Sequence, residues 1–257
     1  MSTYQDVVNA SFPYAAWALV EASGTDFVPY TGAQHLTGEG VTGYQQPGPF
    51  AASVALRLAS GKLTSPNNLP ITQFFTLEAW FNLDASSRPG NALLLYLGGN
   101  AASNGWGVYV PTTNNNLHIF FASPVHDIDT GVAISSNSWH LVQTGNLSGT
   151  TGELNVALDG NVVGQFRTLD PQAVPAGGFG YAGTPTQASF FDGLIAMPAA
   201  YTQLQDQLAW RSRFIAATNP DGALGFGLGG SAQQLLAIQN DTDAILKAVQ
   251  QIYTNSP

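Results

Sequence analysis

Apolar and polar positions alternate with a period of two up to about residue 202, which is the pattern of β-strands. In residues 75–82 (FTLEAWFN), every second residue from Phe75 to Phe81 is apolar, which predicts a half-buried antiparallel strand. Asp159-Gly160 lies between two such segments and can supply the positive φ angles of a tight hairpin turn. The same pattern predicts strands at residues 53–59, 93–97, 106–110, 117–122, 139–144, 154–158, 162–167 and 190–197. Many short strands between turn residues predict an all-β sandwich.

A helix is predicted after the last strand. Thr202 and Gln205 have the spacing of a capping box. They precede residues that recur every three or four positions, as on one face of a helix. The stripe consists of Leu204, Leu208, Arg211 and Ile215, with Trp210 and Phe214 beside it. We expect this short helix to pack on the edge of the sandwich, within a sandwich domain that spans residues 1–221.

The remaining residues predict a linker and an oligomerisation helix. Residues 222–230 (GALGFGLGG) contain five glycines, which is typical of a flexible linker. Residues 231–257 open with the capping-box spacing of Ser231 and Gln234, and the helical pattern continues to about Tyr253. A heptad seam follows the positions Leu235, Ile238, Thr242, Ile245, Val249 and Ile252.

The residue types of the seam predict a homotrimer. Isoleucine at the d positions shifts a coiled coil from dimers towards trimers or tetramers. The alternative is an amphipathic helix that packs on its own sandwich, and such a helix usually shows a wider apolar stripe. Only Leu236, Leu246 and Tyr253 lie off the seam among the apolar residues larger than Ala, so the coiled coil is the better interpretation.

The charge balance limits the partners of the protein. Seven Lys and Arg stand against 16 Asp and Glu, which gives a formal net charge of −9. Because few cations are present to neutralise phosphates, we expect neither nucleic acid nor a membrane as a partner. Only 9% of the residues are charged, so small polar residues must cover the surface, which suits neutral ligands such as sugars.

The absence of Cys removes disulfides, thiol nucleophiles, iron–sulfur clusters and Cys-based zinc sites, and we expect no cofactor. Residues 1–8 lack the basic and apolar regions of a signal peptide. No stretch reaches the ~18 apolar residues of a membrane helix. We therefore expect a soluble chain without an export signal.

Four segments within or beside the predicted strands carry a family resemblance. They are residues 75–81 (FTLEAWF), 139–142 (WHLV), 154–160 (LNVALDG, followed by Val162-Val163) and 191–195 (FDGLI). In order and separation they resemble the laminin G-like domains of the concanavalin A-like lectin and glucanase superfamily, over roughly residues 12–216. The resemblance implies a two-sheet antiparallel jelly roll. The chain departs from the family at Ala196-Met197-Pro198, where an acidic pair is usual.

Residues 13–23 (PYAAWALVEAS) resemble the first strand of bacteriophage versions of this domain. Such domains, followed by a short coiled coil, are similar to minor tail or receptor-binding proteins of tailed phages that infect actinobacteria. The resemblance therefore implies a protein on the surface of the phage particle, in the tail or capsid. It would bind host cell-wall glycan as a homotrimer and contact other virion proteins. The alternative is a purely structural virion component, such as a capsid decoration protein.

No catalytic residues are predicted from the carboxylates. The glucanase branch of the superfamily carries E-x-D-x-x-E on one strand, because retaining cleavage needs two carboxyl groups ~5–5.5 Å apart. None of the glutamates here has an acidic residue two positions away; they are Glu21, Glu39, Glu78 and Glu153. Glu78 is expected to accept hydrogen bonds from a neighbouring strand. We expect a non-enzymatic protein.

A Ser/His/Asp arrangement is not excluded by counting. The sequence holds many Ser and Asp residues and the histidines His35, His118, His126 and His140. No Ser stands in a G-x-S-x-G elbow, however. His118 and His140 are interpreted as structural or partly exposed strand residues, and neither is assigned a catalytic role.

The segment 126–129 (HDID) is the most distinctive cluster of polar residues in the sequence. Asp127 and Asp129 can present carboxylates on one side of an extended loop, where they are candidate Ca²⁺ ligands. Because Ca²⁺ takes ~6–8 oxygens and only this pair is visible, an ordinary solvated loop between strands is the favoured interpretation.

Two loops combine aromatic residues with glycines or amides, and a third turn holds three consecutive amides, which together suit sugar binding. A ring can stack on the C–H face of a pyranose while planar amides bond its hydroxyls. The candidate carbohydrate-binding residues are Asn104, Trp106, Asn114, Asn115, Asn116, Phe179 and Tyr181. The alternative is that Trp106 begins a strand and belongs to the core, while the Asn residues only form turns.

Overall fold

Strands dominate the computed structural model, which describes residues 4–65, 67, 69–70, 74–85, 90–98, 105–122, 125–145, 153–167, 178–184 and 191–218. The helices are α1 (Tyr4–Ala10) and α2 (Gln207–Thr218). The strands are β1 (Ala15–Ala16), β2 (Asp26–Phe27), β3 (Leu36–Pro47), β4 (Val54–Ser65), β5 (Thr76–Leu83), β6 (Ala92–Gly98), β7 (Gly105–Val110), β8 (Asn116–Ala122), β9 (Val125–Ala133), β10 (Trp139–Gly145), β11 (Glu153–Leu158), β12 (Asn161–Arg167), β13 (Phe179–Tyr181) and β14 (Gly193–Tyr201). The predicted linker and oligomerisation helix lie outside the described residues.

The strands pair antiparallel along one hydrogen-bonded path that folds into two layers. Its order is β12-β11-β10-β5-β14-β4-β13-β6-β7-β8-β9, and β1, β2 and β3 are attached at β14, β3 and β4. β12 lies close to β9, and β10 and β5 lie close to β6, so the two halves of the path face each other. The predicted all-β antiparallel sandwich is confirmed.

The long hairpin β3–β4 carries the path from one layer to the other. β4 pairs with β14 at Leu56–Leu58 and with β13 at Leu63–Ser65. Between these halves Ser60 has a φ of 47°, and on the facing strand Gly40 has a φ of 65°. A Cβ at Gly40 would lie 2.7 Å from the carbonyl oxygen of Ala59. Only glycine therefore lets the backbone at residue 40 approach the backbone of β4 this closely.

The main core lies between the two layers and takes alternate residues from β5, β7 and β8. Leu77, Ala79 and Phe81 of β5 belong to it, as the alternation predicts. The hairpin turn at Asp159-Gly160 is also confirmed, since both residues have positive φ, 53° and 75°.

The prediction that β5 is half-buried is wrong, because its second face is covered as well. Trp80 on that face belongs to a second apolar cluster with Tyr4 and Val8 of α1 and Ala217 of α2. The rings of Trp80 and Phe214 stack with their centroids 5.9 Å apart. Both helices therefore lie on the outer face of the β5 layer, and the strand is buried on both sides.

Several elements were not predicted from the alternation. These are α1, β1, β2, β3, β9 and β13. The segment 126–129, interpreted as a solvated loop, forms part of β9 because it pairs with β8 over residues 118–121. Residues 179–181, interpreted as an exposed loop, form β13, which pairs with β4 and β6. β13 has only three residues, too few to show a period, and its partners β4 and β6 are distant in the chain.

Helix α2 begins later than predicted. Its cap is Asp206, whose Oδ1 accepts from the backbone N–H of Ala209 at 2.7 Å. Gln205, assigned to a capping box with Thr202, instead donates from Nε2 to the carbonyl of Ser11 at 3.3 Å. The predicted capping box is therefore wrong.

The buried stripe of α2 also differs from the prediction. It consists of Trp210, Arg213, Ala216 and Ala217. Leu208, predicted to face the sandwich, is 69% exposed. The helix packs with α1 on the outer face of the layer rather than on the edge of the sandwich. Neither α1 nor α2 is long and apolar enough to cross a membrane, within the part of the chain that the structure describes.

A buried ion pair joins α2 to the centre of the sheet. Glu78 and Arg213 are both fully buried, and Arg213 Nε donates to Glu78 Oε2 at 2.7 Å. Gln143 Nε2 on the neighbouring strand β10 donates to the same oxygen at 2.8 Å, which confirms the hydrogen-bonding role predicted for Glu78. Glu78 Oε1 accepts from the hydroxyls of Tyr4 at 3.1 Å and Tyr201 at 2.9 Å.

The ionisation of this cluster follows from its burial. Burial, and then the negative charge of Glu78, raise the pKa of Tyr4 and of Tyr201 well above the ordinary value. Burial acts to lower the Arg213 pKa, but attraction to Glu78, Tyr201 and Tyr4 outweighs it and the net pKa is raised. The tyrosines therefore stay protonated and donate, and the guanidinium stays charged.

Arg213→Met should lower the free energy of unfolding by about 3–5 kcal/mol, because it leaves the Glu78 charge buried without its partner. Arg211→Met is the matched control, since Arg211 lies on the same helix but is exposed, and it should change stability by less than about 0.5 kcal/mol. Urea unfolding of the full chain, followed by tryptophan fluorescence, measures both. Equal losses in the two variants would contradict the role given to the pair.

Candidate functional site

Aromatic and polar side chains gather on the outer face of strands β6 to β9. Alternate residues of a strand point to opposite faces. In β7, Trp106, Val108 and Val110 belong to the core, so Tyr109 points outward. We call this surface the aromatic face and define it by the residues Tyr96, Tyr109, His118, Phe120, Asp127 and Asp129.

Strand register arranges the aromatic face in two rows. In one row Tyr96, Gly107, Phe120 and Asp127 stand opposite one another across β6, β7, β8 and β9. In the other row Tyr109, His118 and Asp129 stand opposite one another across β7, β8 and β9. Each row therefore runs from aromatic residues to a carboxylate on β9.

Glycines beneath the rings let them lie against the sheet. A Cβ at Gly107 would overlap the ring of Phe120, and a Cβ at Gly105 would overlap the ring of Tyr96. The Tyr96 and Phe120 rings are nearly parallel, with an interplanar angle of 20° and centroids 6.3 Å apart. Tyr96 is 5% exposed, whereas Phe120 and Tyr109 are half-buried, so these two rings offer apolar area to a ligand.

Polar contacts hold the β9 end of the face. His118 Nδ1 lies 3.0 Å from Asp127 Oδ1 and 3.4 Å from the Tyr109 hydroxyl. Asn116 Nδ2 donates to both oxygens of Asp129 at 3.0 Å, and the N–H of Gly131 donates to Asp129 Oδ1 at 2.7 Å. The carboxylates are exposed and have further lone pairs for hydroxyl donors.

The surroundings shift two pKa values on this face in opposite directions. The N–H of Gly131 and the amide of Asn116 lower the pKa of Asp129 below its ordinary value, so it is ionised at neutral pH. Burial raises the pKa of Tyr109, and its hydrogen bond to Asp127 raises it further, so its hydroxyl stays protonated. The face thus offers anionic acceptors beside neutral rings.

The structure places all three predicted sugar-binding aromatics in the core. Trp106 is 7% exposed and packs on Phe75, with centroids 5.2 Å apart. Phe179 and Tyr181 are fully buried and pack against Trp17 at 6.1 and 6.0 Å. The exposure predicted for Phe179 and Tyr181 is wrong, and the core position stated as the alternative for Trp106 is confirmed, because β7 and β13 turn these rings between the layers.

The asparagines predicted to bind sugar do not all lie in the same environment. Asn114 and Asn115 are exposed in the turn before β8, and Asn116 begins that strand beside Asp129. Asn104 lies outside the described residues. The aromatic face was missed from the sequence, although the period of residues 105–109 (GWGVY) already puts Tyr109 opposite to Trp106.

The candidate Ca²⁺ ligands Asp127 and Asp129 lie on the aromatic face and are engaged by His118 and Asn116. Across the described ranges, no group of three or more His, Cys, Asp or Glu is placed to hold a metal ion. Any calcium site that involves these two residues stays a prediction.

A family model matches residues 59–207 of the chain, and its description is the concanavalin A-like lectin/glucanases superfamily. The matched range contains the whole of the aromatic face. No curated protein sequence matches the chain.

Solved structures of similar fold come from sugar-binding and sugar-cleaving proteins. Domain 4 of AbnA, a GH43 extracellular arabinanase from Geobacillus stearothermophilus in complex with arabinotriose, matches with a TM-score of 0.58 at 14% identity, over 78% of this chain and 97% of that one. A Trypanosoma rangeli sialidase mutant with trans-sialidase activity matches with a TM-score of 0.59 at 13% identity, over 78% of this chain. The chain spans about a third of that sialidase, 32%.

A botulinum neurotoxin type C chain, described as interacting with two ganglioside molecules, matches with a TM-score of 0.57 at 13% identity, over 82% of this chain and 53% of that one. At these identities the likeness extends to the fold alone. It nevertheless overturns the expectation of a non-enzymatic protein, because an arabinanase and a sialidase contain this fold. The missing E-x-D-x-x-E motif excludes only one kind of active site.

Asn116→Ala should raise the pKa of Asp129 towards its ordinary value of 3.8, because the carboxylate loses the amide that favours its charged form. A pH titration of the side-chain carboxyl carbon by NMR measures this shift. Asn115→Ala is the control, since Asn115 is exposed in the same turn and the Asn116 amide remains in place. An unchanged Asp129 titration in Asn116→Ala would contradict the hydrogen bonds described here.

Proposed function

The chain belongs to the concanavalin A-like lectin/glucanases superfamily, and on that premise we propose that it binds a neutral glycan on its aromatic face. One observation carries the proposal: the partly exposed rings of Tyr109 and Phe120 lie in strand register with the exposed carboxylates of Asp127 and Asp129. A ring beside hydrogen-bond acceptors is the combination that binds the C–H face and the hydroxyls of a sugar.

The charges of the protein favour a neutral ligand over an acidic one. The net charge is −9, and Asp127 and Asp129 would repel an anionic sugar. Hydroxyl groups donate to a carboxylate more strongly than to a neutral acceptor. A single site of this kind binds weakly, because sugar hydroxyls exchange hydrogen bonds with water at little net gain.

We further propose that the protein acts on the surface of a bacteriophage particle, as a homotrimer that joins other virion proteins to host cell-wall glycan. The resemblance of residues 13–23 to phage domains supports the setting, and the heptad seam supports the trimer. Three linked sites gain about 10²–10⁴ in avidity when their spacing matches the surface, which offsets weak single-site binding.

A second candidate function is that of a structural virion component, such as a capsid decoration protein. Exposed apolar side chains favour it. Phe12 is 73% exposed and lies beside Gln203, which donates from Nε2 to its carbonyl at 3.3 Å. Leu204 follows in the chain and is also exposed, as is Leu208. An apolar group of this kind suits contact with another protein.

Light scattering on the full chain should give three times the chain mass of 27.0 kDa at micromolar concentration. Ile245→Asp should give a monomer, because an unpaired charge at a buried seam position costs several kcal/mol. Asp243→Asn, off the seam, serves as the control and should leave the trimer intact. A monomeric wild-type chain would refute the trimer.

Phe120→Ser should weaken glycan binding about tenfold per site, because it removes one of the two rings that offer apolar area to the sugar. Retention on actinobacterial cell walls and on an array of neutral oligosaccharides measures the loss. Phe12→Ser removes an exposed ring outside the aromatic face and should bind as the wild type does.

Both variants should melt at the wild-type temperature within a few degrees, so that lost binding is not lost folding. Undiminished binding by Phe120→Ser would place the glycan elsewhere on the protein. No binding by the wild-type chain to any wall or sugar would favour the structural component.

A further inference from the structure

Ser135, His140 and Asp159 form a hydrogen-bonded chain away from the aromatic face. Ser135 Oγ lies 2.7 Å from His140 Nε2, and His140 Nδ1 lies 2.8 Å from Asp159 Oδ2. Both distances fall within the ~2.6–3.2 Å range of a nucleophile, its base and the group that orients the base. Ser135 is exposed, whereas the His140 side chain is only 15% exposed.

The backbone fixes each member of this chain. The residue before Ser135, Ile134, donates its N–H to the carbonyl of Asn115 at 2.8 Å. Two residues after Ser135, Asn137 donates its N–H to the carbonyl of Leu83 at 2.7 Å. The short loop that carries the hydroxyl is therefore anchored on both sides.

Asp159 is held by the strand that carries the histidine. Its Oδ1 accepts from the N–H of Leu141 at 2.9 Å, and its own N–H donates to the Leu141 carbonyl at 2.9 Å. Its second oxygen, Oδ2, makes the contact with His140 Nδ1. A carboxylate fixed in this way keeps the Nδ1–H tautomer of the imidazole, so that Nε2 faces the serine as an acceptor.

Donors for a developing oxyanion are present on the same loop. Among the described residues, no carbonyl or side chain accepts from the backbone N–H of Ser135 or Ser136. In acyl transfer, such N–H groups at or next to the nucleophile stabilise the tetrahedral intermediate. Ser135 thus has a base, a group that orients the base and uncommitted donors.

We propose that Ser135, His140 and Asp159 form an esterase site for short acyl esters. Ser135 Oγ attacks the ester carbonyl while its proton passes to His140 Nε2. The C–O bond to the alcohol breaks, and the alcohol leaves with that proton. Water then attacks the acyl-serine, gives its proton to His140 and releases the acid, and the proton returns to Ser135. The net reaction is ester and water to acid and alcohol.

The surroundings set the substrate class. The residues that follow Ser135 are Ser136, Asn137 and Ser138, which are polar and at least partly exposed. Such a rim suits an acetyl group on a polar alcohol rather than a long acyl chain. The site is independent of the proposed glycan binding, since it shares no residue with the aromatic face.

Two probes test the site on the full chain. Hydrolysis of p-nitrophenyl acetate measures turnover. A fluorophosphonate identifies the nucleophile, because phosphonylation of Oγ with loss of fluoride adds a defined mass to one peptide. We expect labelling at Ser135. We also expect Ser135→Ala and His140→Gln to lower kcat/KM by about 10²-fold or more, because each removes the activated nucleophile.

Ser23→Ala is the matched control, since it removes an exposed serine that belongs neither to the triad nor to the rim around it. It should keep wild-type turnover and labelling. Melting temperatures of all variants separate lost chemistry from lost folding. The absence of a fluorophosphonate adduct at Ser135 in the wild-type chain would overturn the proposal, as would equal turnover in the wild type and Ser135→Ala.

Discussion

The buried pair of Glu78 and Arg213 is the interaction on which the arrangement of the domain depends. A charge pair without water is costly unless other donors and acceptors complete it. Here Tyr4, Tyr201 and Gln143 supply the remaining donors to Glu78. Five elements meet at this carboxylate: α1, β5, β10, β14 and α2. The first and last described elements are thus fastened to the same central strand.

This pair makes the two layers of the sandwich different on their outer faces. The helices cover the β5 layer because Glu78 and Trp80, on its outer side, are buried only when α1 and α2 pack there. The described residues place no helix on the outer side of β6 to β9. That side carries the aromatic face, with half-buried rings and exposed carboxylates. The β5 layer is therefore buried on both sides, whereas the outer side of β6 to β9 keeps exposed side chains.

Membership of the superfamily does not by itself identify a function, because proteins with different functions share this fold. Structures of the same fold come from an arabinanase, a sialidase and a ganglioside-interacting toxin, so function must be argued from particular side chains. Two constellations meet that standard here, the aromatic face and the Ser135 triad. The two share no residue, and the backbone bond from Ile134 to Asn115 joins the serine loop to the turn before β8.

Local pattern was sufficient for most strands and for the Asp159-Gly160 turn, because alternation and positive φ are properties of neighbouring residues. It could not show that the second face of β5 would be covered as well, because that depends on helix residues 74 and 135 positions away from Glu78 in the chain. Residue type alone marked Trp106, Phe179 and Tyr181 as ligand-binding, but the packing of the layers turned them inward. Ser135, His140 and Asp159 come together only when β10 pairs with β11 and the loop after β9 is anchored. No local sequence motif could therefore predict their hydrogen bonds.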